Sequence, residues 1–132
     1  MLAPITALLA MAPGSGASCP AADPAITKVS TSHAATGDGL NTYTLNVTVA
    51  NIGSAGQPGN TLQSVAIYLD GQKKDVKGLP PLRAGQTYSF PYVVHRSADA
   101  AAGTTSVRFQ LVRIAPAEAN CPGTNDTMRV VI

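Results

Sequence analysis

The amino-acid sequence predicts an all-β fold, a two-sheet antiparallel sandwich of about seven strands. Three observations predict it. Apolar and polar residues alternate with period two in several short runs. Clusters of Gly, Pro, Asn and Asp separate those runs at roughly even spacing. Charged residues make up only 12% of the 132 residues, about half of ordinary usage, too few to coat the outer faces of a helical bundle.

The strands follow in order. Ala25 to Ser32 reads as the first. In the second, Tyr43, Leu45, Val47 and Val49 alternate with Thr44, Asn46, Thr48 and Ala50, so one face is apolar and the other polar. Asn51-Ile52-Gly53 opens a loop rich in Gly, Ser, Pro and Asn that runs to Asn60. Val65, Ile67 and Leu69 share one face of a third strand, and Tyr68 points to the other. Asp70-Gly71 is a two-residue hairpin signal, because both residue types tolerate positive φ. Gln72 to Lys77 returns as a polar edge strand. Gly78 to Gly85 is a crossover, and its two prolines cannot donate to a ladder. Thr87 to His95 sets Tyr88, Phe90, Tyr92 and Val94 on a face expected to be core, with Pro91 marking an edge or a bulge. Thr105 to Ile114 points Val107, Phe109 and Leu111 inward. Thr127 to Ile132 closes the chain. Ser97 to Gly103 is rich in Ala but too short for a stable helix.

A net charge of +2 and Asp75 within the Lys73, Lys74 and Lys77 cluster give no basic stripe, so nucleic acid is not an expected partner. Residues 1–17 start apolar and end in small residues, the order of a secretory signal, although no Lys or Arg precedes the apolar run; a truncated signal accounts for that lack, and a disordered N-terminal tail is the alternative reading. That run is too short and too broken by Gly and Pro to span a bilayer. Residues 18–24 then form a lead-in, and 25–132 the domain. Secreted, periplasmic or cell-surface placement is expected.

Four motifs in this order carry a family resemblance. LNVTVANIG ends on Asn51 and Gly53. VAIYLDG ends on Asp70 and Gly71. Gly78-Leu79 leads on to Ala84-Gly85, and Asn125-Asp126-Thr127 precedes the last strand. Over residues 25–132 the chain resembles the CARDB domain, a bacterial cell-adhesion-related module with an immunoglobulin-like or fibronectin-III-like sandwich. The resemblance implies no catalytic site. Members mostly occur as repeats in surface proteins, whereas this sequence holds one unit.

An immunoglobulin-like topology can run the first strand parallel to the last. Cys19 precedes the first strand and Cys121 the last, so the topology would bring them to one end. A disulfide there would close a loop of about 100 residues, with a chain-entropy value of roughly 4.7 kcal/mol. A reactive thiol at Cys121 and a lipid anchor at Cys19 are the alternatives.

Two cysteines and two scattered histidines lack metal-ligand spacing. Glu118, Asn120, Asn125 and Asp126 supply oxygen ligands that suit calcium but fit no EF-hand. His33 and His95 are the candidates for a general base near neutral pH, yet neither has a nucleophile motif beside it. No catalytic residue and no cofactor is expected. Tyr68 is a possible surface contact. The expected role is a non-catalytic module that contacts a protein or cell-envelope component. A carbohydrate-binding module would need a row of exposed aromatics. A structural spacer is the third reading.

Overall fold

The computed structural model of the protein describes residues 21–97, 99, 103–115 and 126–132. The seven expected strands all form: β1 (Pro24–Ala35), β2 (Leu40–Asn51), β3 (Leu62–Leu69), β4 (Gln72–Leu79), β5 (Thr87–Ser97), β6 (Ser106–Ala115) and β7 (Thr127–Val131). They make two antiparallel sheets, ordered β1-β2-β5 and β4-β3-β6-β7. A constant-type immunoglobulin domain pairs its fourth strand with the first sheet. Here β4 stays beside β3, because the tight Asp70-Gly71 turn holds the two as a hairpin. Asp70 has φ 47° and Gly71 φ 85°, and Leu69 pairs directly with Gln72.

The core is where the two apolar faces meet. Leu45, Val47 and Val49 of β2 and Phe90 and Val94 of β5 form one cluster with Val65 and Ile67 of β3 and Val107, Phe109 and Leu111 of β6. Leu79 of β4, Leu82 from the crossover, Ile26 of β1 and Ile132 beyond β7 join it. Each such side chain contributes about 1.5–3 kcal/mol when fully buried. The alternation seen in the sequence therefore locates the core with little error.

Two details differ from the expectation. The β1–β2 hairpin is longer at its tip than the residues suggested, because Gly37 and Gly39 at φ 82° and 84° close a compact turn. There the Thr36 N–H donates to the Leu40 carbonyl at 3.1 Å. Pairing across this hairpin outweighs the weak strand preference of Ala34 and Ala35. On β5, Phe90 and Val94 are buried as expected, but Tyr92 is half-buried and Tyr88 is exposed. The cause is position: β5 pairs only with β2, so its flank is open. That placement agrees with Pro91.

β1 and β7 begin at the same end of the sandwich. Ile52, just beyond β2, donates its N–H to the Asp23 carbonyl ahead of β1. The same end holds Leu82 and, in the other sheet, Gln63, whose partner Arg113 lies next to the start of β7. The parallel course expected of the first and last strands is therefore present. Both cysteines, the segment 1–17, Glu118, Asn120 and Asn125 lie outside the described residues.

Candidate functional site

The family motif residues build a structural knot at this end. Asn51 is fully buried, and its amide uses both of its polar atoms twice. Oδ1 accepts from the Asp23 N–H at 2.9 Å and the Gly53 N–H at 3.0 Å. Nδ2 donates to the carbonyls of Ala55 at 2.9 Å and Leu82 at 3.0 Å. Its backbone joins in: the Asn51 N–H donates to Gln86, and its carbonyl accepts from Gly85, which sits at φ 77°. One side chain thus ties the lead-in to β1, the β2–β3 loop and the β4–β5 crossover. A buried amide with all its capacity used is inert toward ligands. Gly53 has a separate reason. A Cβ there would lie 2.1 Å from the Ala21 carbonyl oxygen and 2.6 Å from the Asp23 nitrogen, so only glycine admits the lead-in.

Beside the knot, Gln57 and Gln63 exchange reciprocal amide hydrogen bonds at 2.8 and 2.7 Å. Gln63 also donates to the Pro80 carbonyl, and Gln57 Oε1 accepts from the Leu82 N–H. Sequence reasoning missed this pair. The signal was available at Gln63, which continues the inward row Val65, Ile67 and Leu69 with a polar side chain.

Among the remaining described motif residues, Asp70 also has a structural role. Asp70 accepts from the Ser106 N–H at 2.9 Å and donates its own N–H to the Ser106 carbonyl, which fastens the hairpin tip to β6. Gly78 stands opposite Ser64 in the ladder with open space where a Cβ would be. Asp126 lies 3.8 Å from Arg113, and Thr127 opens β7 on an exposed face.

Tyr68 is the exception. It lies on the outer face of the four-stranded sheet, half-buried because the Arg108 guanidinium stands 4.0 Å from its ring centroid. The ladder extends this contact into a row across all four strands: Lys73 pairs with Tyr68, Tyr68 with Arg108, and Arg108 with Arg129. Neighbouring strands are about 4.8 Å apart, so three cations fall within about 15 Å. Lys73 and Arg129 are exposed, and Arg108 is steadied by donating to Gln110 Oε1 at 2.6 Å. Among the described strand residues of this face there is no carboxylate. Asp70 at the hairpin tip is turned to Ser106, and Asp75 stands opposite Ile67 on the inward side. Burial above all, and then the charge of Asp75, raise the Tyr92 phenol above its ordinary value of 10.0. In the β1–β2 turn, a hydrogen bond from Thr36 lowers the Asp38 carboxyl. Arg108 and Arg129 were legible as polar alternates to Val107, Phe109, Met128 and Val130. Their alignment was not, because it depends on which strands pair.

The two histidines are not brought together. His33 stacks on Tyr43 with ring centroids 4.9 Å apart, whereas His95 Nδ1 meets Thr42 Oγ1 at 3.0 Å. Thr42 and Tyr43 are adjacent in β2, so the imidazoles sit on opposite faces of the sheet. Among the described residues no three His, Cys, Asp or Glu side chains gather as a metal site, and no helix is long and apolar enough to cross a membrane.

Comparison with curated proteins and with solved structures gives no match. The CARDB family model matches residues 23–112. The match begins at the knot's Asp23 and ends within β6, and so leaves out the Asn125-Asp126-Thr127 triplet. It spans more than half of the chain and includes Asn51, Gly53, Asp70, Gly71, Gly78 and Gly85. The immunoglobulin-like sandwich built around these turns and this knot belongs to the CARDB family.

Proposed function

We propose that the protein is a non-catalytic binding module of the bacterial cell exterior, and that it contacts an anionic envelope component through the outer face of the four-stranded sheet. The observation that carries this reading is the Lys73–Tyr68–Arg108–Arg129 row. The strand ladder fixes the spacing of the three cations, Arg108 is further held by Tyr68 and Gln110, and together the cations attract negative charge over about one Debye length, ~8 Å at physiological salt. The two guanidiniums, on Arg108 and Arg129, can each grip a carboxylate or phosphate with two hydrogen bonds, and the Lys73 ammonium adds a point charge. Placement outside the cell is supported by the family, by the apolar start of the chain and by the low charge content.

A sugar-stacking platform has less support among the described residues. Arg108 covers Tyr68, His33 covers Tyr43, and Tyr92 meets Phe109 edge-on at 6.4 Å. Only Tyr88 is left exposed.

The test is co-sedimentation of the 132-residue chain with isolated bacterial envelopes over a salt series, parent against R108E/R129E. Binding that weakens with salt and falls at least tenfold in the double variant is expected. Equal, salt-insensitive binding by a variant that melts like the parent would remove the row from the account and leave the spacer role.

A further inference from the structure

A sandwich of two open sheets has four edges, and three of them are blunted against unwanted pairing. β4 carries Lys73, Lys74 and Lys77 and a bulge between Ile67 and Tyr68 of its partner. β5 has Pro91 at its middle, which cannot donate. β7 has only five residues. Short strands, lysines, prolines and bulges are the ordinary defences of an edge.

β1 has Pro24, a bulge between Ile26 and Lys28 and the lysine itself at its beginning, and none of these defences from Val29 to Ala35. From Lys28 to Ala35 it reads KVSTSHAA, with no proline, no glycine and one charge at the start. It pairs with β2 on one side only, in unbroken register from Lys28 opposite Thr48 to Ala35 opposite Asn41. Every side chain in this stretch except Val29 is exposed. The outward amides and carbonyls of this stretch are a template for another strand.

The segment is also close to self-complementary. Its centre, Ser30-Thr31-Ser32, reads the same in both directions. Antiparallel pairing with a second copy about Thr31 sets Thr31 against Thr31, Ser30 against Ser32, and Val29 against His33. Lys28 falls opposite Ala34, so the only ionised side chain of the segment never meets itself. Thr and Ser pairs of this kind support an antiparallel ladder, and a two-fold contact of one surface with itself closes without growing into a fibre. We propose that β1 is a homodimer interface, in which two copies join edge to edge into one six-stranded sheet ordered β5-β2-β1-β1-β2-β5. This surface lies in the other sheet from the cationic row and does not depend on it.

The test uses a pair of charge variants. T31K and T31E each place like charges directly opposite across the two-fold, at a position whose side chain is exposed in the single copy. Sedimentation equilibrium of the parent should give a dimer, and each variant alone should raise the dissociation constant about tenfold. An equimolar mixture of the two should restore association, because a lysine on one copy then faces a glutamate on the other. Melting curves that coincide at a concentration where the parent is dissociated show that the monomer fold is intact. A parent that stays monomeric to millimolar concentration, or variants that dimerise as tightly as the parent, would overturn the proposal.

Discussion

Asn51 is the side chain whose loss should cost the most for its size. Asn51→Ala removes four hydrogen bonds and leaves two N–H groups, on Asp23 and Gly53, and two carbonyls, on Ala55 and Leu82, without their partner. Asn51 is fully buried, so water replaces little of what is lost. At about 1 kcal/mol per neutral hydrogen bond, the cost is about 3–5 kcal/mol, a large part of the roughly 5–15 kcal/mol that usually holds a domain. Asn51→Asp keeps the shape and keeps both accepted bonds. It turns the second oxygen against the Ala55 and Leu82 carbonyls, in a site closed to solvent. Burial and those two dipoles must push the introduced carboxyl above its unfolded value of about 3.9. The sign follows. Below the unfolded pKa the group is protonated in both states and can donate once, so the penalty is smallest there. The penalty grows as pH rises toward the folded pKa and is complete above it. Urea titrations of parent and both variants at pH 4 and pH 7 would measure this. Asn51→Asp should lie near the parent at pH 4 and fall well below it at pH 7, while the deficit of Asn51→Ala stays nearly constant. A deficit under about 1 kcal/mol for Asn51→Ala, or no pH dependence for Asn51→Asp, would refute the knot as the element that holds this end together.

Two further outcomes rest on the same end of the molecule. Gly53→Ala puts a methyl 2.1 Å from the Ala21 carbonyl oxygen, and because that neighbour is backbone the lead-in must move. A loss of about 2–4 kcal/mol in urea unfolding is expected, within the range for overpacked sites. β1 and β7 begin at the same end of the sandwich, the placement a Cys19–Cys121 bridge requires, and such a bridge is predicted. Intact mass after alkylation should show no modified cysteine before reduction and two after it, and removing the bridge should cost about 2–5 kcal/mol.

Period-two alternation located the strands because burial of one face is a local property of the chain. It worked for Leu45, Val47 and Val49, and again for Val107, Phe109 and Leu111, all of them buried. Where a residue's environment is set by distant chain, the sequence was mute or misleading. Asn51 reads as a turn former, yet two of the four groups that occupy it are 28 and 31 residues away. Tyr88 follows the inward pattern of Phe90 and is exposed all the same, since alternation cannot say that a strand lies at an edge. Tyr68 was singled out correctly as an outward residue. The cations that flank it come from β4, β6 and β7, and only strand pairing aligns them.

The division between what the motif builds and what the surface offers bears on where specificity lies. The motif residues of the knot and the hairpin act mechanically. Asn51 stitches, Gly53 yields space, Asp70 and Gly71 turn, and Gly85 donates into the knot. Such residues fix the fold and are silent about the partner, because function is carried by what is grafted on the scaffold. The charges are arranged in a different way. Eight of the nine basic residues lie in strands, Arg83 being the exception, while Asp75 alone of the six aspartates does. Six of those bases sit on β4, β6 and β7 of one sheet. A net charge of +2 therefore hides a segregation, with most cations in strands and most of the described aspartates outside them. Turn chemistry explains Asp38 and Asp70, each beside a glycine at positive φ. Arg108 and Arg129 stand directly opposite each other on neighbouring strands, and a like-charge pair so placed costs stability. A chain with so few charges that still aligns three of the same sign bears a folding cost that an anionic partner would offset.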